Sequence, residues 1–219
     1  MNYIEHFGVR AFDKKYGLKL TREKYALINN KSSLPYFKGM KENYADEAGK
    51  FYKDKWCAKY QKLCLENFDL NMLFFQSLDY AKFNNEVNAM IDKYKLEEVE
   101  DLKQYDYFGG YYLMVLDEYN QVYVGYSSNI RKRIQQHWSF NKSLDRLLFP
   151  MYNIKSSRLS IDSFRALDTT RLYAIKRRYS KKFEDTLIKS FSDDFVINRV
   201  SGGLPKYIFE LKIKSRKLI

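Results

Sequence analysis

The stretch Gly109-Gly110-Tyr111-Tyr112-Leu113-Met114-Val115-Leu116, the turn Asp117-Glu118-Tyr119-Asn120, and Gln121-Val122-Tyr123-Val124-Gly125-Tyr126 read together as a β-hairpin. Both runs are rich in aromatic and branched residues, and a four-residue loop joins them. Downstream, Ser127 or Ser128 stands where a cap would open a helix reaching about Trp138. Residues 139–170 are irregular, with Pro150 and several serines. Arg171 to Lys176 alternates as a third strand, and Ser180 to Phe191 has the pattern of a helix. Gly202-Gly203-Leu204-Pro205 marks a turn before a terminal strand over Tyr207 to Lys214. The order β-β-α-β-α predicts an α+β module with a small central three-stranded antiparallel sheet flanked by helices.

Upstream, the first hundred residues read as helical. Ala48, Phe51 or Tyr52, Trp56, Tyr60, Leu63 and Cys64 recur at helical steps within Asp46 to Leu65. A second helix is expected over Leu70 to Tyr94, with Asp69 as its N-cap. Thr21 to Lys24 suits a shorter helix, and Ser33-Leu34-Pro35 a loop. The stripe Phe51, Trp56, Tyr60, Phe68, Phe74 and Phe75 has the composition of a core more than of a base-stacking surface. Cys57 and Cys64 fall two turns apart on one helix face, ~10 Å from each other and too far for a disulfide. The acidic stretch Glu97 to Asp101 changes the texture. The predicted division is a helical region over 1–103 and a second domain over 104–219.

The chain has 219 residues, 45% of them hydrophobic, so it can bury a core and is not expected to be disordered. No apolar run approaches the ~18–20 residues that span a bilayer, and the N-terminus lacks the basic start and apolar stretch of a secretory signal. The expectation is a cytoplasmic protein with no membrane partner. The net charge of +12 is unevenly placed: residues 1–100 hold 17 Lys/Arg against 15 Asp/Glu, and residues 101–219 hold 22 against 12. A basic C-terminal half suits a polyanion, most simply nucleic acid, and equally a solvated Lys-rich surface.

The hairpin carries Gly110-Tyr111-Tyr112, then ten residues, then Tyr123-Val124-Gly125. Arg133 follows Tyr123 by ten residues, His137 lies one helical turn beyond, and Asn198 comes fourteen after Glu184. Taken singly, Tyr112 and Tyr123 are ordinary strand aromatics, Arg133 part of a basic face, and Glu184 an acid favoured by a helix N-terminus. As a set, over about residues 108–200, they resemble the GIY-YIG nuclease superfamily. That family has two short tripeptides on a hairpin, an Arg on the next helix, a Glu on a later one and an Asn beyond. Tyr111 departs from the usual Ile or Val, Val124 stands for Ile, and the gap between Arg133 and Glu184 implies an insertion at about 139–170.

The resemblance implies a metal-dependent endonuclease acting on DNA, with double-stranded DNA as partner. Glu184 would hold the cation, Mg²⁺ or Mn²⁺, because a hard cation can be bound by one carboxylate, waters and the substrate phosphate. Tyr112 would be the general base or would pass on a proton from the attacking water, its phenol depressed by the metal and Arg133. Arg133 would bind the scissile phosphate, and Tyr123 would hydrogen-bond the phosphate or the water. His137 would assist proton transfer or contact phosphate. Asn198 would tie the site together by hydrogen bonds. Arg131-Lys132-Arg133, Lys176-Arg177-Arg178 and Lys181-Lys182 would meet flanking phosphates. A restriction, defence or mobile-element nuclease is the expected setting. The alternatives are a non-cutting nucleic-acid-binding module, or a nuclease domain targeted to a protein partner by residues 1–100. That region, nearly neutral and rich in aromatics, also suits a homodimer interface.

Overall fold

A computed structural model describes residues 3–12, 18–22, 25, 53–139 and 158–198. The chain gathers into two compact units, one of Met1–Lys19, Phe75–Phe140 and Ser160–Asn198, the other of Leu20–Phe74, Asn141–Leu159 and Arg199–Ile219. The architecture is α+β.

The first unit is built on β4 (Gly110–Leu116), whose seven residues are all buried. β4 pairs with β5 (Gln121–Ser127) in the register Gly110↔Ser127 to Leu116↔Gln121. Asn120 closes the loop at φ 49°, a left-handed conformation that Asn tolerates. On its other side β4 pairs with β6 (Arg171–Lys176). The sheet has four strands rather than the expected three: the two-residue β3 (Glu97–Glu98) adds to β6 in the order β3-β6-β4-β5, all antiparallel. The acidic stretch expected only to end the helical region thus supplies an edge strand. Two glutamates without alternation give no strand signal; pairing with Tyr173 and Ala174 makes them one.

Sequence places a break near Leu65–Asp69. The chain instead forms one helix, α1 (Asp54–Gln76), and restarts as α2 (Tyr80–Tyr94). Asp79 is the N-cap, its side chain accepting from Lys82 N at 3.0 Å. Asp69, expected to cap, sits mid-helix with its carboxylate held by Arg22 (Nε–Oδ1 2.7 Å, Nη2–Oδ2 2.8 Å). Phe83, Val87 and Met90 form the inner stripe of α2 and share one core with Tyr111, Leu113, Val115, Val122, Val124 and Tyr173. The division into units therefore does not follow the 103/104 boundary, because α2 buries its apolar face in the sheet's own core. Leu187 of α4 (Lys181–Ile188) joins that core, and Ser180 caps the helix as expected.

The opposite face of the sheet is covered by α3 (Ile130–Trp138), whose cap is Asn129, accepting from Lys132 N, rather than Ser127 or Ser128. Two 3₁₀ turns, Ile161–Ser163 and Ala166–Asp168, lead into β6. The expected helical start is also not observed at the N-terminus, where β1 (Ile4–His6) and β2 (Val9–Ala11) form a hairpin. Phe7 and Gly8 turn it at φ 47° and 69°, the double positive φ of a tight hairpin. It is anchored by His6 Nε2 donating to Thr169 O (2.7 Å), Leu102 N donating to Phe7 O (3.0 Å), and Phe7 stacked on Trp138.

In the second unit Tyr60, Cys64, Phe68 and Phe74 are buried along α1, so the aromatic stripe is core there. Tyr25 packs on Phe68, and Asn71 Oδ1 accepts from Leu159 N at 3.0 Å. Cys64 is buried as a thiol. The Phe51 and Cys57 side chains, the Ser33–Pro35 loop, residues 140–157 of the insertion and the 207–214 strand lie outside the described residues. Among the described residues no helix is long and apolar enough to cross a membrane.

Burial holds the His6 imidazole below its ordinary pKa, the bonds to Thr169 and Ala166 opposing in part. Below the ordinary value of about 6.5 the unfolded chain therefore takes up a proton that the folded chain refuses, and stability falls as pH drops through that window. His6→Gln, which keeps a donor for Thr169, is expected to flatten this slope. Urea midpoints at about pH 5 and about pH 7.5 check it; an unchanged slope would remove His6 as the cause.

Candidate active site

Alternation along the hairpin sets which tyrosines meet. Tyr112 stands opposite Gly125 and Tyr123 opposite Met114, so the two tyrosines are diagonal neighbours on one face, ring centroids 6.2 Å apart. The Tyr112 ring lies across Gly125: a Cβ there would fall 2.3 Å from the phenol's Cζ and Oη. Gly110 is tight for another reason, since its Cβ would meet Ile175 O at 2.1 Å. Tyr111 faces the other way. Its hydroxyl donates to Ser180 O (2.9 Å) and accepts from Ser180 N (2.6 Å), so the unusual residue of the first tripeptide pins the start of the helix that carries Glu184.

Helix α3 brings Arg133 and His137 to this face. His137 is 1% exposed. Its Nε2 lies 2.9 Å from the Tyr112 hydroxyl and its Nδ1 2.8 Å from Asp162 Oδ1. A carboxylate only accepts, so Nδ1 carries a hydrogen, and when the ring is neutral the Tyr112 hydroxyl donates to Nε2. The His137 ring also meets Tyr123 edge-on at 5.0 Å. The Arg133 guanidinium lies against both phenols and reaches Gln136 Oε1 at 3.4 Å.

Asp162 is the site residue that sequence reading misses. It comes from the insertion, in a 3₁₀ turn where Ser160 Oγ accepts from Asp162 N (3.1 Å) and Arg165 Nη1 donates to Asp162 O (3.0 Å). No period marks it; the one available signal is that a buried His137 needs an acceptor for its second nitrogen.

The expected depression of the Tyr112 phenol is not found in the chain itself. Burial, then Tyr123, raise its pKa well above the usual value, and the nearby Arg133 offsets only part of this. Tyr123 is raised too, by burial first, with Arg133 opposing and the charges of Asp162 and Glu184 adding. Both phenols are protonated at neutral pH, so Tyr112 has a hydrogen to give a neutral His137.

Glu184, in the first turn of α4, is half-buried beside the Tyr179 hydroxyl, and its charge is felt at Tyr123. Among the described residues no three His, Cys, Asp or Glu side chains gather as metal ligands. A lone carboxylate fits a hard cation that keeps its waters and takes a substrate oxygen, and does not fit a zinc-type cage. Asn198 stands behind β5 and acts on backbone. Its Nδ2 donates to Val124 O (2.6 Å) and its Oδ1 accepts from Val124 N (2.9 Å), extending the pairing of Val122 with residues 195–197. Thus Tyr112 and Tyr123 each meet both His137 and Arg133, the charge of Glu184 reaches Tyr123, and Asn198 holds the strand that carries Tyr123.

The basic tracts divide. Arg131 turns away from the cluster, pairs with Asp106, and lines a cavity of about 510 Å³ with Arg10 and Lys103. Arg177 covers the Phe183 ring at 4.0 Å, while Arg178, Lys181 and Lys182 are exposed.

Asn198→Ala leaves the buried Val124 N–H and C=O without these partners and is expected to cost about 1–3 kcal/mol, read from urea unfolding. Gly125→Ala should displace the Tyr112 ring, visible as a changed Tyr112–His137 contact in a crystal structure. A variant with that contact and the stability intact would contradict the tight fit. No family model, curated protein or solved structure matches the chain.

Proposed function

We propose that this chain is a divalent-cation-dependent endonuclease that hydrolyses phosphodiester bonds in DNA, in a restriction, defence or mobile-element setting. The observation that carries the reading is the hydrogen-bonded line from half-buried Asp162 through buried His137 to buried Tyr112, ending beside Tyr123 and Arg133. Such a line moves a proton. As the attacking water gives its proton to the Tyr112 oxygen, the Tyr112 proton passes to His137 Nε2, and Asp162 stabilises the resulting imidazolium through Nδ1–H. A protonated phenol suits this relay, which needs no free phenolate. Arg133 neutralises charge growing on the phosphate, and Tyr123 orients the phosphate or the water by hydrogen bonding. Glu184 would hold Mg²⁺ or Mn²⁺, which when bound supplies charge neutralisation at the phosphate and stabilisation of the leaving 3′ oxygen.

Plasmid nicking with and without Mg²⁺ tests the reading. The wild-type chain is expected to cut only with the cation, Glu184→Gln to cut no faster than the cation-free control, and Tyr112→Phe to be slower by about 10²–10⁴-fold. Full activity in Glu184→Gln would sink the assignment, and DNA binding without any cutting would favour the non-cutting module. One such centre cuts one strand per visit, so nicked circles should accumulate before linear DNA. Linear product from the outset would instead require two chains acting together.

A further inference from the structure

Seven large apolar side chains are exposed among the described residues, and Tyr107 is the most exposed of them at 91%, with Phe108 beside it at 49%. Single exposed aromatics are common and mean little. Tyr107 differs because it is held outward against conformational preference, at φ 64°, a left-handed backbone that an aromatic residue rarely adopts. The turn is fixed on both sides. Asp106 N donates to Lys103 O, Phe108 N to Tyr105 O, Ile130 N to Phe108 O, and Asp106 pairs with Arg131. Tyr105 beneath it is buried. The ring is presented on a rigid support.

Its position is equally specific. Phe108 O receives the first backbone N–H of α3, and Arg133 follows three residues on, ~4.5 Å along the helix axis. Lys176, opposite Gly110 on the Tyr112 side of the sheet, holds its ammonium 4.2 Å above the Phe108 ring. The same ammonium lies 5.2 Å from the Tyr105 ring. Exposed flat rings beside a lysine, at the start of the helix that carries Arg133, complement a polyanion that also offers flat apolar faces. That is a nucleic-acid strand rather than an apolar protein surface, which would not call for the cations.

Resting on the nuclease reading, we infer that the Tyr107–Phe108 turn is a base-stacking element that grips the nucleotide next to the phosphate held by Arg133. It fixes where the strand lies; it has no part in the chemistry. Insertion of such a ring also unstacks the neighbouring step in a duplex.

The test uses the full chain in EDTA, so that nothing is cut, with a mixed-sequence duplex and its single strand as probes. Tyr107→Gly is expected to unfold at no lower urea concentration than wild type, because it relieves the positive φ, yet to bind DNA about tenfold more weakly. Tyr107→Trp is expected to retain affinity and to show tryptophan quenching on DNA beyond that of wild type. Tyr107→Gly binding within twofold of wild type, with no added quenching in Tyr107→Trp, would overturn the stacking element and leave the nuclease reading standing. A wild-type chain that binds neither probe would overturn both. A Tyr107→Trp emission that shifts blue on phosphatidylserine vesicles but stays unquenched on DNA would assign the turn to a lipid surface instead.

Discussion

The tyrosine ring lying across Gly125 is the constraint on which the site depends. With any side chain at 125 the Tyr112 phenol would stand away from the sheet, and its hydroxyl would miss His137. The glycine lets the ring lie down, the ring sets the height at which α3 must pass, and α3 places Arg133 and His137 together. The burial that follows is also what raises the two phenols. One missing Cβ thus links strand pairing, helix packing and the protonation of the site.

Much of this was legible in the sequence because it is local. β4, β5 and β6 follow from runs of aromatic and branched residues, and β6 falls on the expected residues. Ser180 caps the helix that carries Glu184, as expected. What was not legible depends on partners distant in the chain. Asp69 and Asp79 are equally good caps by type; an ion pair with Arg22 absorbs the first and leaves the second to begin α2. The N-terminal hairpin has three-residue strands, too short to show a period, and is held by Thr169 and Trp138 more than a hundred residues away. β3 is two glutamates, with no intrinsic reason to be a strand. Asp162 lies in a segment without pattern, so the residues expected at the site were all in reach of a motif, while the one that orients His137 was not.

The site also shows how a largely buried polar line is made tolerable. Asp162, His137 and Tyr112 each satisfy a neighbour's hydrogen-bonding group, and Arg133 brings positive charge to the same place. A half-satisfied version would cost more than an apolar core. The turn bearing Asp162 is itself fixed by Ser160 and Arg165, so residues 160–165 of the insertion are structural members of the site.

The two edges of the sheet carry a consequence for self-association. On the outer side of β5, Val122 and Val124 are engaged by residues 195–198, whose last member substitutes a side-chain amide for a backbone ladder. The opposite edge, β3, is two residues long and both are negatively charged. Among the described residues neither edge presents a long open ladder, a shape that disfavours strand addition. A second copy would have to meet this sheet through side chains rather than by extending its ladder.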